Sequence, residues 1–266
     1  MKYLTKEWYN RMQKTNLYFG LNVSKEAEEF SESFYKKIYK KEKEKYLKRE
    51  LTFINFESYK KIILEVEDTK NMTDDEINER FNQYKIDMYH GMTMEEWFDN
   101  CHKFVIQDFK TKLPKSILDK VKDIRVLALR YASKEVYNLI KEYCNENEKY
   151  VKDKINELEK EEKEQFKNEK IGFLEHSFHD SFIININKKN NDLEIKLDNE
   201  YGFTDKTIII LKNYNIVLDE NIEGCNWLYN EIYKIDKGYE LHILAVQNDG
   251  ENLKELIVIC DYIVLE

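Results

Sequence analysis

A chain of 266 residues, 42% of them hydrophobic and 36% charged, is long enough for one large domain or two ordinary ones and can bury a sizeable core. Its formal net charge of −9 disfavours a nucleic-acid ligand, and its longest apolar runs, at 207–211 and 256–260, are far shorter than the roughly 20 residues of a membrane-spanning helix. Charges interrupt the opening residues, so no signal core is evident and we expect a cytoplasmic protein that contacts no membrane.

The first 170 residues carry apolar side chains at helical spacing, punctuated by hydroxyl residues that suit helix N-caps. The predicted caps are Thr5, Ser24, Thr73, Thr93 and Ser133. A shorter helical segment starts at Glu57 and Ser58, and Pro114 ends one helix and opens the next. These signals predict a helical bundle over residues 1–170.

After Gly172 the apolar period changes from three or four residues to two. Alternation at 178–186 and 193–197, with turn residues at 188–192 between them, predicts a hairpin. Further strands are expected at 207–211, 216–218, 239–246 and 253–264, and 227–233 is favoured as a strand over a short helix. Short connections favour antiparallel pairing. The predicted fold class is therefore α+β, an N-terminal helical bundle followed by a C-terminal antiparallel β-sheet or partly open barrel.

Charge is distributed unevenly between the two predicted parts. Residues 171–266 contain 8 Lys and Arg against 18 Asp and Glu, a net charge of −10, whereas residues 1–170 are nearly neutral. We therefore predict a helical domain at 1–170 and an acidic β-rich domain at 171–266. The acidic domain is the expected interaction surface for a protein partner with a basic surface.

A group of histidines and an aspartate is the strongest candidate for chemistry. His176, His179 and Asp180 lie within five residues, and His242 follows on a later predicted strand. Imidazole and carboxylate are common ligands for zinc, iron or manganese, so these four residues predict a metal site. Against this prediction, residues three apart on one strand point to opposite faces. The alternative is that His179 and Asp180 form a local hydrogen-bonded entry to the strand.

Other patterns favour no site. Glycine-rich phosphate loops are missing among the seven glycines, the cysteines form no C-x-x-C pair, and no cofactor is predicted. Asp180 with Glu194-x-Lys196 resembles the ion-binding pattern of some nucleases, but acid-x-lysine arises often by chance here. The lysine-rich stretch 36–49, interleaved with tyrosines, can track phosphates, although a solvated helix face is favoured. Pairs of aromatics at Trp8, Trp97 and Trp227 are interpreted as core anchors.

Four segments resemble a known family. They are the opening Met1-Lys2-Tyr3-Leu4-Thr5-Lys6-Glu7-Trp8-Tyr9, then Phe178-His179-Asp180-Ser181, then Leu197-Asp198-x-x-x-Gly202-Phe203-Thr204, and Trp227-Leu228-Tyr229-x-Glu231-Ile232-Tyr233. Together they are similar to an uncharacterised bacterial family, common in Firmicutes, named domain of unknown function family 4085. The resemblance implies a bacterial cytoplasmic protein and supplies no activity or catalytic residue.

Two functions follow from these observations as hypotheses. The first is a non-catalytic binding or regulatory protein that meets its partner through the acidic β-rich domain. The alternative is a metal-dependent hydrolase that uses His176, His179 and Asp180 together with His242. The sequence leaves the oligomeric state open.

Overall fold

The computed structural model describes residues 1–53, 55–66, 69–167, 169–248, 250 and 252–266. The chain forms two compact units. Unit 1 combines Met1–Thr15 with Asn145–Glu266, and unit 2 is Asn16–Cys144. The predicted boundary at 170/171 lies between the last long helix and the first long strand, and the compact units divide the chain at other positions.

Helices dominate the first part of the chain. In order they are α1 (Lys6–Met12), α2 (Glu32–Phe53), α3 (Phe56–Glu65), α4 (Asp74–Met88), α5 (Met94–Lys112), α6 (Lys115–Leu118), α7 (Ile124–Ala128) and α8 (Lys134–Gln165). Short parallel strands β1 (Asn22–Val23) and β2 (Tyr131–Ala132) pair within unit 2. No helix in the described ranges is both long and apolar enough to cross a membrane.

Local capping chemistry sets most helix starts. Thr73 and Thr93 each accept the N–H of the glutamate three residues later, and that glutamate accepts the N–H of the threonine, which completes a capping box. Thr5 and Ser133 also cap the helices predicted for them.

The prediction for Ser24 is wrong in one respect. Ser24 precedes a 3-10 helix, Lys25–Glu28, and makes no capping hydrogen bond, whereas the long helix α2 begins later. Ser31 Oγ accepts the N–H of Phe34 at 3.2 Å and caps that helix instead. The shorter helical segment predicted from Glu57 and Ser58 is α3, which begins one residue earlier at Phe56 and is capped by Asn55.

The C-terminal part is an antiparallel sheet, which confirms the α+β prediction. Its strands are β3 (Phe182–Lys189), β4 (Asp192–Asp198), β5 (Ile208–Lys212), β6 (Asn215–Asp219), β7 (Asn226–Lys234), β8 (Tyr239–Val246), β9 (Leu253–Cys260) and β10 (Tyr262–Leu265). They are ordered β10-β5-β4-β3-β7-β8-β9-β6, and the sheet does not close into a barrel. The 253–264 prediction becomes two strands, separated at Asp261.

A weak central junction divides the sheet into two halves of four strands. β3 and β7 pair through a single register position, Phe182 with Asn226. Apolar side chains from both halves enter one core, including Ile195 of β4, Trp227 of β7 and Val258 of β9. The alternation predicted at 193–197 is confirmed, because Leu193, Ile195 and Leu197 are all buried.

The opposite face of β7 and β8 is also covered. Leu228 and Leu244 form a cluster there, against which Met1 and Tyr9 pack. Trp8 packs nearby with Val151 of α8 and is almost completely buried. Residues 1–15, which we call the opening segment, are therefore part of the core of unit 1.

Candidate interaction site

The segment at 176–181 is a turn rather than the start of a strand, which corrects the prediction for 178–186. Asp180 has φ +64, a left-handed conformation that no strand tolerates. Its N–H donates to Trp227 O at 2.9 Å, and Trp227 N–H donates to Ser181 O at 2.8 Å. The turn is thus tied to the start of β7, and the argument that His176 and His179 face opposite sides of one strand does not apply.

Each predicted metal ligand has a local partner in this structure. His176 Nδ1 lies 3.0 Å from Thr204 Oγ1, and His179 Nδ1 lies 3.0 Å from Asp180 Oδ2. On β8, His242 Nε2 lies 2.6 Å from Glu240 Oε1, and the His242 ring meets Tyr233 edge-on.

These contacts place the four residues in three separate settings. Among the described residues, no three His, Cys, Asp or Glu side chains form a group that could hold a metal ion. The shared metal site stays a prediction without a geometric basis in these contacts. In the nuclease-like pattern, Glu194 pairs with Lys189 at 2.8 Å, beside the hairpin turn.

The lysine-rich stretch 36–49 lies on α2, as the favoured interpretation expects. Tyr35 and Tyr39 pack against the cluster formed by Ile38, Val126 and Leu129. Several lysines pair with acids, as Lys43 does with Asp99 at 2.7 Å. The rings therefore cover the edge of a core.

A second feature adjoins the 176–181 turn, and we call it the aromatic loop: residues 198–206, which begin at the last residue of β4 and lead towards β5. Its two aromatic side chains, Tyr201 and Phe203, are 78% and 71% exposed. The loop also carries Asp198, Glu200 and Asp205 against the single cation Lys206. It therefore presents two rings to water within an acidic setting.

Contacts with the rest of unit 1 fix the aromatic loop in place. Asn199 Nδ2 donates to Lys206 O at 2.6 Å and closes the loop at its base. Gly202 packs so closely that a Cβ there would lie 2.8 Å from Ser181 Oγ. The Phe203 ring lies 6.3 Å from the His179 ring, centroid to centroid. The loop is thus held against the 176–181 turn, and the exposed rings project from a preorganised base.

A buried carboxylate that the sequence analysis missed organises the opening segment. Glu231 of β7 is fully buried, and its carboxylate accepts the backbone N–H groups of Lys2 at 2.7 Å, Tyr3 at 2.9 Å and also Leu4. The hydroxyl of Tyr233 donates to it at 2.5 Å. Four donors thus compensate for the cost of burying this charge.

Charged contacts continue along the opening segment. Lys2 Nζ lies 2.6 Å from Glu161 Oε2, and Lys6 Nζ lies 2.6 Å from Glu220 Oε2. The hydrogen bond from Lys2 lowers the pKa of Glu161, and that from Lys6 lowers the pKa of Glu220. In contrast, burial, followed by the charge of Glu231, raises the pKa of Glu162. Acidic side chains of unit 1 therefore already bind the basic opening segment, which belongs to the same unit.

Sequence signals for these features are faint but present. Glu231 is the one acid inside the apolar strand β7, an unusual place for a charge. Tyr201 and Phe203 flank Gly202 and lie close in sequence to acidic residues. Aromatic residues that enter a core seldom have such neighbours.

Comparison with known proteins adds one finding. A family model described as "Protein of unknown function (DUF4085)" matches residues 87–249, more than half of the chain. That range includes the turn at 176–181, the aromatic loop and β7, whereas the opening segment lies outside it. No curated protein and no solved structure matches the chain.

Proposed function

Because the chain belongs to the DUF4085 family, whose function is unknown, we propose its function from geometry: it is a non-catalytic cytoplasmic binding protein whose acidic β-rich region engages a protein partner with a basic surface. The aromatic loop is the contact point. The observation that carries the proposal is the exposure of Tyr201 and Phe203 among carboxylates on a fixed base.

The chemistry of the aromatic loop matches lysine and arginine side chains. Aromatic faces attract cations through their quadrupole, and the effect grows as water is excluded. Carboxylates of Asp198, Glu200 and Asp205 supply the matching charge and steer a basic partner toward the loop. Large rings of this kind often dominate the energy of protein interfaces.

Preorganisation favours binding at the aromatic loop. Ordering a flexible loop at an interface costs free energy that offsets the new contacts. Here the Asn199–Lys206 hydrogen bond and the close packing of Gly202 on Ser181 fix the backbone before a partner arrives. The two rings therefore offer contact area at a low entropic cost.

A peptide library displayed against the full-length protein tests this function. We expect enrichment of peptides with several Lys or Arg residues, and weaker binding as salt is raised. The double variant Tyr201→Ala/Phe203→Ala should bind the enriched peptides at least about tenfold more weakly, since loss of each interface ring costs more than about 1 kcal/mol.

Phe104→Ala is the matched control, because Phe104 of α5 is 71% exposed, like Phe203, but lies in unit 2. It should leave binding unchanged. The proposal fails if no basic peptide is enriched at either low or moderate salt, or if the double variant binds as well as the control.

A further inference from the structure

The opening segment has the properties of a bound peptide ligand. Among residues 1–15 there are four cations, Lys2, Lys6, Arg11 and Lys14, against the single acid Glu7. Its side chains and backbone contact carboxylates of Glu161, Glu220 and Glu231, which belong to the later part of unit 1. Lys2 and Lys6 thus each meet an acid of the later part of unit 1, whereas Arg11 pairs with Glu7 inside the segment.

Main-chain recognition is the first element of the contact. Glu231 accepts N–H groups from three successive residues, which requires a bent backbone, and residues 3 and 4 do form a bend. This recognition is independent of their side chains. Peptide-binding grooves commonly gain affinity in this way and take specificity from pockets for individual side chains.

Pockets for particular side chains are the second element. Tyr3 and Leu4 are buried after docking, and Trp8 inserts beside Val151 and Leu158 of α8. The indole Nε1 of Trp8 donates to Val151 O at 3.2 Å. The hydroxyl of Thr5 caps α1, so that the chain passes from the bend at Tyr3 and Leu4 directly into the helix.

We propose that this surface is a peptide-binding groove, filled in this structure by the chain's own residues 1–15. Its ligand class is a basic peptide with the pattern Lys-aromatic-Leu-x-Lys-x-Trp, bent at its second and third residues and helical from the fifth. A partner that carries this pattern competes with the opening segment. Because the resident ligand belongs to the same chain, it competes intramolecularly with any partner peptide, so the groove stays closed to weak ligands.

The contacts of residues 1–15 described above include neither Tyr201 nor Phe203, and among the ring contacts of the described residues the two features meet only through the His179 ring, which lies 6.3 Å from the Phe203 ring and 5.2 Å from the Tyr229 ring. Failure of one proposal therefore leaves the other standing.

The test uses full-length protein and a fluorescent synthetic peptide of residues 1–15. Wild-type protein should bind it poorly, because its own segment occupies the groove. Two variants loosen that segment: Trp8→Ala removes its main anchor, and Lys2→Glu/Lys6→Glu reverses the charges that face Glu161 and Glu220. Each should bind the wild-type peptide at least about tenfold more tightly than wild-type protein does.

Controls separate groove binding from unfolding and from simple charge attraction. A peptide with Lys2 and Lys6 replaced by glutamate should not bind the Trp8→Ala variant. Circular dichroism establishes that each variant is folded; the charge-reversed variant changes side chains that are 57% and 36% exposed and keeps the test open if Trp8→Ala does not fold. If the folded variants bind the peptide no better than wild-type protein, the proposal is overturned.

Discussion

Replacement of Glu231 by alanine is the sharpest test of how unit 1 is held together. The change removes the acceptor for Lys2, Tyr3 and Leu4 N–H and for the Tyr233 hydroxyl. The Tyr3 and Leu4 bonds are buried, so those two N–H groups are left without a partner and away from water.

The magnitude follows from these two groups. A buried donor left unsatisfied costs about 1–3 kcal/mol, so the pair sets the loss at about 2–6 kcal/mol. Removal of a buried charge returns part of this cost. We therefore expect Glu231→Ala to lower the free energy of unfolding of unit 1 by about 3 kcal/mol.

Urea unfolding followed by tryptophan fluorescence measures the loss. A Trp97→Phe background leaves Trp8 and Trp227, both in unit 1, as reporters. Glu175→Ala, at an exposed glutamate of the same unit, is the matched control and should change stability little. A loss for Glu231→Ala below about 1 kcal/mol, or one equal to the control, would refute the role assigned to the carboxylate.

Three further predictions also use urea unfolding followed by tryptophan fluorescence, the last of them with Trp97 retained. Gly202→Ala should lower stability by about 1–3 kcal/mol, because its Cβ would lie 2.8 Å from Ser181 Oγ; an unchanged midpoint contradicts the close packing. Glu162→Gln should raise stability at neutral pH. Burial raises the pKa of Glu162, so the folded protein holds that proton more tightly than the unfolded chain and wild-type stability rises as pH falls through the raised pKa. The advantage of Gln should therefore vanish below the ordinary pKa of 4.5, and a pH-independent difference would contradict this cause. Thr93→Ala removes the cap of α5 and should cost unit 2 about 1 kcal/mol, with Trp97 as reporter; a loss of a few tenths would contradict the capping role.

Local chemistry explains which elements of the fold were predictable. The caps at Thr73 and Thr93 depend on residues three positions away, so the sequence alone identifies them. The two-residue period at 193–197 likewise reports a strand with one face in the core. Errors arose where two local solutions compete: Ser24 and Ser31 both suit an N-cap, and the alternation at 178–186 conceals a turn with Asp180 in a left-handed conformation.

The candidate sites were less predictable because their contacts are distant in sequence. Glu231 accepts hydrogen bonds from Lys2, Tyr3 and Leu4, which precede it by 229, 228 and 227 positions, and no spacing rule predicts contacts over such separations. Exposure of Tyr201 and Phe203 could not be predicted either, since aromatic residues usually enter cores. The closeness in sequence of His176, His179 and Asp180 predicted a metal site, yet the two histidine side chains have local partners.

The docking of the opening segment has a consequence for synthesis on the ribosome. Lys2, Tyr3 and Leu4 are synthesised before Glu231, which follows them by 229, 228 and 227 residues. At about 5–20 residues per second the wait lasts roughly 10–50 s. During that time the Leu4 N–H lacks its acceptor on Glu231, although unit 2, contiguous in sequence, has been completed. Nascent chains therefore pass through a state in which the basic, aromatic opening segment is free to bind a chaperone. Completion of unit 1 is the late step of folding.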